Sequence, residues 1–413
     1  MFLVNHKVLI ALFKRYNHLK ELLILVLKTM IRPILFIRII IGRQKVNSIT
    51  NRQMVMLLIV TMSGYSIIVL PKVMAQSAGT GSWLVLIIAA LFFSFAAMVI
   101  VSINNLFRGH MLFDYAPSLI GKPLTYIIVS FYIVYFMMIL VYLITMKARL
   151  LNAEFFPNTP LWAFPVVGIP VFCYIANKGI TNAARLAELI GIVYIITALF
   201  IHILMITQGK VNRILPLFNS AEFGNYAKGL KEAIFPFLGI ELLLAAPLAK
   251  TNGKKAKRTA FFAVLSIGAL YILIVESCIM KVGLNNIMKY NDPLIVAIRD
   301  TALEYMDIFT RIDILFLTVG VAGIFVGISI IMAVIIDYLC KIFKNMKRQI
   351  IVIIIGVASY IQFYFFKDIE HYDDFVTAVG TFSGLVASIL IPSVLWAVAK
   401  KKRKMVKGKK DAV

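Results

Sequence analysis

The sequence predicts an all-α membrane protein of about ten transmembrane helices, a five-plus-five inverted repeat with broken helices one and six. Three observations lead there. Hydrophobic residues make up 61% of the chain and charged residues 15%, against roughly 25% charged in an average soluble domain. Uncharged runs such as Trp83 to Leu106 and Leu124 to Met146 reach the roughly 20 residues that cross about 30 Å of hydrocarbon at about 1.5 Å per residue. Gly and Pro interrupt the first and the sixth of the expected spans at matching places.

In chain order, residues 1–47 form a basic N-terminal extension. Lys14, Arg15, Lys20, Lys28, Arg32 and Arg38 interrupt its apolar positions and Pro33 breaks its later part. A basic helix on the cytoplasmic membrane surface is the reading, with a disordered tail or a mis-assigned start codon as the alternatives. The apolar run Leu22 to Leu27 is too short and badly flanked for a cleavable signal peptide. The transporter-like domain then runs over 48–404, with spans expected near 53–75, 82–106, 123–146, 160–177, 186–207, 230–249, 259–280, 312–340, 349–366 and 375–399. A basic tail, 405–413, closes the chain.

An even number of crossings puts both termini on one side. Most of the 43 Lys and Arg fall in the N-terminal segment, the loops at 104–122, 177–185, 249–259 and 341–348, and the C-terminal tail. The positive-inside rule makes that side, and so both ends, cytoplasmic. The same asymmetry accounts for the net charge of +24 without a nucleic-acid partner; lipid is the expected surrounding. Between spans seven and eight, Asp292, Asp300, Glu304 and Asp307 alternate with Leu294, Ile295, Ile298 and Leu303 as in an amphipathic extracytoplasmic helix. The acidic loop Lys367 to Asp374 should likewise be exterior.

Catalysis is not expected. Walker, dinucleotide and HExxH signatures are absent, and the five His and the scattered Cys173, Cys278 and Cys340 lack metal-ligand spacing. No catalytic residue, metal or cofactor is therefore assigned.

Chemistry is expected where helices break, because backbone groups freed inside a bilayer need protein, water or ligand as partners. Span one carries Ser63-Gly64-Tyr65-Ser66 before Pro71, and span six carries Pro236-Phe237-Leu238-Gly239-Ile240-Glu241 before Pro247. Matched breaks of this kind point to a site at mid-membrane, where half-helix ends face the ligand. Glu241 is the acid singled out, as a partner for a ligand ammonium, as a protonated hydrogen-bond donor, or as a brace for loose amides of span six. The candidate ligand-binding set is Ser63, Gly64, Tyr65, Ser66, Phe237, Gly239, Glu241 and Thr318. Glu276 and Asp337 lie nearer helix ends and read as interfacial. Arg185 and Glu188, three apart, are expected to pair. Tyr132, Tyr135 and Tyr142 suit aromatic packing before a cavity lining, and Gly320, Gly323 and Gly327 make a face for close helix contact.

Several segments in register then carry a resemblance. Ser48-Ile49-Thr50-Asn51-Arg52-Gln53, Val69-Leu70-Pro71 with Ala78-Gly79 and Trp83, Leu112-Phe113-Asp114-Tyr115 before Ile120-Gly121-Lys122, Thr159-Pro160-Leu161-Trp162, Lys178-Gly179-Ile180 with Ala184-Arg185-Leu186-Ala187-Glu188, and Phe235 to Glu241 together resemble the B subunits of spore germinant receptors. Those proteins are permease-like members of the amino acid, polyamine and organocation superfamily. The resemblance runs from about Ser48 to Lys404. It implies a ten-helix transporter fold in the spore inner membrane, a nutrient sensor beside a receptor A subunit and a C lipoprotein, and a small-molecule germinant such as an amino acid, sugar, nucleoside or ion. Two features depart from the family: Gly64 and Ser66 stand where it has a glycine pair, and the basic start is longer. The reading is a sensor whose nutrient binds near Ser63, Gly64, Tyr65, Gly239 and Glu241; a proton-coupled amino acid permease is the alternative, and a structural scaffold with a vestigial pocket is a third reading.

Overall fold

The computed structural model describes residues 48–218, 223–249, 253–302, 312–369 and 371–410. The expected basic extension, 1–47, lies outside them, as do Glu304 and Asp307 of the expected amphipathic helix. For Tyr65 and Ser66 the backbone is described and the side chains are not.

The start motif of the resemblance is a helix cap. Gln53 N–H donates to the Thr50 hydroxyl at 3.3 Å and Thr50 N–H donates back to Gln53 Oε1 at 3.1 Å, so two of the first orphan amides of helix α1 (Asn51–Ser66) are satisfied reciprocally. Residues 67–69 form a turn, after which α2 (Leu70–Ala78) carries Pro71 in its first turn, where a missing amide costs nothing. A 3-10 turn, Gly79–Gly81, leads into α3 (Ser82–Asn104). There follow α4 (Leu112–Ile120), α5 (Lys122–Glu154), α6 (Ala163–Asn177), α7 (Ile180–Gln208) and α8 (Phe223–Glu232). Span six is not an α-helix: it consists of the 3-10 turns Phe235–Phe237 and Ile240–Ala245 joined through Leu238 and Gly239. Beyond it lie α9 (Gly253–Val282), α10 (Pro293–Ala302), α11 (Ile312–Ile342), α12 (Arg348–Phe366), α13 (Tyr372–Leu385), a π turn Val386–Leu390, and α14 (Ile391–Lys410).

Among the described residues, 7 helical stretches are long and apolar enough to cross a membrane: Leu70–Asn104, Lys122–Glu154, Ile180–Gln208, Gly253–Val282, Thr318–Ile342, Arg348–Phe366 and Tyr372–Lys402. The protein is a multi-pass membrane protein. The expected crossings near 53–75 and 230–249 fall outside those 7 because they are interrupted, and that near 160–177 because α6 has only 15 residues. Large apolar side chains such as Phe95, Ile196 and Ile353 point outward, as a lipid-facing surface requires.

The core is built around α1, which packs against α7, α9 and α11. Tight approach uses glycine. A Cβ on Gly327 of α11 would stand 3.2 Å from the Val60 carbonyl oxygen, and one on Gly268 of α9 would overlap the Ala90 methyl of α3. Polar ties gather at the two ends of the bundle. At the end where α1 begins, Ile49 pairs with Leu248 as a parallel bridge, Ile49 N–H donating to Pro247 O at 2.8 Å and Ala249 N–H to Ile49 O at 2.9 Å. Asp337 at the same end takes Arg348 Nη1 at 2.5 Å and the Ile180 amide at 3.3 Å, locking α11 to α12 and to the start of α7. At the opposite end Arg149 meets Asp373 at 2.5 Å, Arg299 meets Glu154 at 2.8 Å and Lys281 meets Asp300 at 3.3 Å.

Three expectations change in detail. Glu188 does not pair along its own helix: α7 turns it toward α1, where Arg52 Nε stands 2.8 Å away, while Arg185 donates to Asn182 Oδ1 at 3.4 Å. Glu276, read as interfacial, is shielded inside the bundle on α9 beside the Trp83 amide. The amphipathic helix between spans seven and eight forms as expected over Pro293–Ala302, with Leu294, Ile295 and Ile298 buried, but its exposed face also carries Arg299, which pairs with Glu154.

Candidate functional site

The break in span six is closed on itself. Gly239 adopts φ 114°, a left-handed conformation that a Cβ resists, and this turn lets the chain double back so that Gly239 N–H donates to Glu241 Oε2 at 2.8 Å. The other oxygen, Oε1, accepts from the Tyr135 hydroxyl of α5 at 2.9 Å. Glu241 is 0% exposed. Two carbonyls that a regular helix would have used are taken by side chains from neighbours: Tyr271 of α9 donates to Pro236 O at 2.9 Å, and Asn104 of α3 donates to Leu243 O at 2.7 Å. Phe237 stacks on Phe93 and meets Tyr271 edge-on, so it belongs to the packing between α3 and α9. Glu241 thus ties the Gly239 amide, and Tyr135, expected as packing, is its partner on α5.

The break in span one is open by comparison. A cavity of ≈ 20 Å³, room for about one water, lies between α1, α7 and α11. On the 3.6-residue period, Val60, Ser63 and Gly64 share the face of α1 that lines it, and Ile67 of the following turn continues it. The rest of the wall is apolar, apart from Tyr194 of α7. The hydroxyls of Ser63 and Tyr194 are buried and lie close enough to interact with each other, and neither has another hydrogen-bond partner. Gly320 and Gly323 of α11 face the same space.

The structure therefore divides the expected set. Ser63 and Gly64 line the small cavity. Gly239 abuts the neighbouring face of α1 at Thr61 and Met62, where a Cβ would come within 3.3 Å of Met62 Cγ, and Glu241 stays behind it. The backbone of Tyr65 and Ser66 forms the last turn of α1. Thr318 is exposed on α11 and is not part of the cavity wall.

A second, larger cavity of ≈ 420 Å³ opens toward the end of the bundle opposite the start of α1. It shares Ile68 and Leu150 with the small one, so the two are neighbours across that pair. Lys147, Arg149, Asn291, Asp292 and Asp373 line it. Partial burial pushes the Asp292 carboxyl above its usual range, while Lys147 and Lys72 pull it back. Lys147 escapes a reading that ends span three at Met146; α5 in fact continues to Glu154, which leaves Lys147 inside the helix and only 8% exposed. The available signal was a lone cation continuing an apolar run. Among the described residues, no group of three or more His, Cys, Asp or Glu is placed to hold a metal ion.

Sequence relatives point to the family and solved structures to the fold. Spore germination protein KB of Bacillus subtilis (strain 168) is 22% identical over 384 residues, 87% of this chain and 97% of that protein. Spore germination protein GerLB of Bacillus cereus is 24% identical over 297 residues, 71% of this chain and 79% of the other. In fold, the crystal structure of MhsT in complex with L-phenylalanine matches with TM-score 0.61 at 13% identity, covering 82% of this chain and 87% of that one. A substrate-bound Na+-coupled sialic acid symporter in its outward-open state matches with TM-score 0.56 at 10% identity, covering 82% and 78%. The fold is thus that of transporters, which agrees with the expected repeat of helices broken at one and six. The family described as "Spore germination protein" (Spore_permease) matches residues 48–370, and the chain belongs to it.

Proposed function

We propose that this protein is the B subunit of a spore germinant receptor, which binds a small germinant, an amino acid in the first instance, and triggers germination. In this reading it sits in the spore inner membrane with both termini cytoplasmic, beside the A subunit and the C lipoprotein. The observation that carries the reading is the pair of buried hydroxyls of Ser63 and Tyr194 beside the break in span one, which have no hydrogen-bond partner beyond each other. Polar groups left unpaired inside a protein are costly, and a ligand that hydrogen-bonds to them recovers that cost. The cavity they face holds about one water, so a nutrient enters only if α1 and α11 part. Binding then favours a parted state over the closed one, which is what a sensor requires: different affinity for two conformations, passed to partner subunits as a population shift. Gly239 and Glu241 serve as the fixed wall against which α1 moves, through Gly239 at Thr61 and Met62. Spores lacking the chain should lose response to one germinant and regain it with the wild-type protein. The double variant Ser63→Ala, Tyr194→Phe, present at normal abundance, should need about tenfold more germinant. An unchanged dose response removes the cavity from sensing.

A proton-coupled amino acid permease is the second reading, favoured by the likeness in fold to MhsT in complex with L-phenylalanine. Net accumulation of a radiolabelled amino acid by proteoliposomes containing this chain alone would support it over the receptor.

A further inference from the structure

The start of α9 gathers cations with no acid beside them. Lys254, Lys255 and Arg258 line a surface groove of ≈ 800 Å³ between α9 and Val55 of α1, and its wall contains no Asp or Glu. Along the chain, too, none occurs between Glu241 and Glu276. Among the described residues no ion pair or hydrogen bond reaches the Lys255 or Arg258 side chain. These cations occupy the first two turns of a helix of 30 residues whose first turn holds no acid. They therefore face the positive end of its macrodipole as well as one another, and both interactions are unfavourable. An anion seated among them relieves both.

We infer that this groove holds the headgroup of an anionic phospholipid, with Lys255 and Arg258 taking the phosphate and the ring of Phe262 meeting the acyl chains. The order of residues along α9 decides the class of ligand. Residues four apart share a helix face, so Lys254, Arg258 and Phe262 follow one another along the groove while Lys255 and Thr259 run beside them. Charge gives way to a hydroxyl and then to an aromatic ring over about 12 Å of helix, the order of phosphate, glycerol ester and hydrocarbon in a lipid. Phe262 is 55% exposed on a helix long and apolar enough to cross a membrane, so its ring faces lipid tails. A free phosphate or an acidic protein segment has nothing apolar to place there, and a zwitterionic lipid brings a further cation among the three already present. Basic pockets beside membrane helices recognise acidic headgroups on the same grounds. Because Val55 belongs to α1, a seated lipid touches α1 and α9 together near the end where both begin. The inference requires only that α9 lies in a bilayer and is independent of what the protein senses.

The test is photolabelling of the purified full-length chain in phosphatidylcholine nanodiscs. A trace of phosphatidylglycerol with a diazirine in its acyl chain is compared with phosphatidylcholine carrying the same chain, and labelled residues are mapped by peptide mass spectrometry. Label in the first four turns of α9 and around Val55 is expected to be at least about tenfold greater from phosphatidylglycerol. Lys255→Gln combined with Arg258→Gln should bring it down to the phosphatidylcholine level, and Lys255→Arg should keep it. Lys344→Gln combined with Lys347→Gln, an equal loss of charge in the exposed loop before α12, should leave the α9 label unchanged. Equal labelling of the groove by the two lipids overturns the proposal. So does loss of the label on addition of inorganic phosphate, which would mark a site for a free anion, or of a polyglutamate peptide, which would mark a protein contact. An equal fall in the Lys344, Lys347 variant also overturns it, because net charge alone would then explain the labelling. The comparison of the two lipids uses the wild-type chain, so a variant that fails to fold leaves the proposal exposed to refutation.

Discussion

The two interruptions of this bundle, one in span one and one in span six, meet the same physical demand in opposite ways. In span six every exposed backbone group named above finds a protein partner: Glu241 for the Gly239 amide, Tyr271 for Pro236 O, Asn104 for Leu243 O. At span one, Ser63 and the facing Tyr194 of α7 keep hydroxyls with no partner beyond each other beside a small cavity. A break satisfied by neighbours is a rigid wall. A break with unspent hydrogen-bonding groups is a place where a ligand or a movement lowers the free energy, so the capacity to respond is expected in span one and the resistance to deformation in span six.

Substitutions break or sharpen this contrast. Glu241→Ala strips both the Gly239 amide and the Tyr135 hydroxyl of their acceptor; two buried donors at about 1–3 kcal/mol each should lower the unfolding temperature in detergent sharply and reduce the amount of protein in membranes. A fully stable Glu241→Ala protein would remove the brace. Glu241→Gln should be far milder, because the amide oxygen accepts from Gly239 while its NH2 donates to Tyr135. Gly239→Ala forces a Cβ at φ 114° against Met62 and should cost about 1–3 kcal/mol, read in the same unfolding measurement. Tyr135→Phe leaves Glu241 Oε1 without its donor and should cost about 1.5 kcal/mol. Ser63→Ala and Tyr194→Phe remove hydroxyls with no partner beyond each other and should shift stability by no more than about 0.5 kcal/mol, measured by thermal unfolding; a large loss at either position would mean that span one is braced as well.

The ends of the helices were readable from local chemistry. The capping box at Thr50 and Gln53, the proline opening α2 and the alternation that builds α10 depend only on residues a few positions apart. So was the interruption of span six, since Gly and Pro act on their own backbone; in span one the turn falls at 67–69, after the expected Ser63 to Ser66, which stay helical, and before Pro71. Partner identity was not. Glu188 joins Arg52 across 136 positions and Tyr135 joins Glu241 across 106, and nothing in the local spacing of either residue points to the other. Thr318 shows the converse, a polar residue beside a glycine face that the rotation of α11 leaves exposed.

Hydropathy, charge placement and the positions of Gly and Pro determined by themselves that this chain is a bundle of membrane helices with irregular first and sixth members, because lipid admits only backbone that is satisfied within its own segment or by its neighbours. Which break stayed open was decided only by tertiary packing. Whether a freed amide or hydroxyl finds a partner depends on side chains that fold in from α3, α5 and α9, and their arrival is set by the crossing of helices, not by sequence distance.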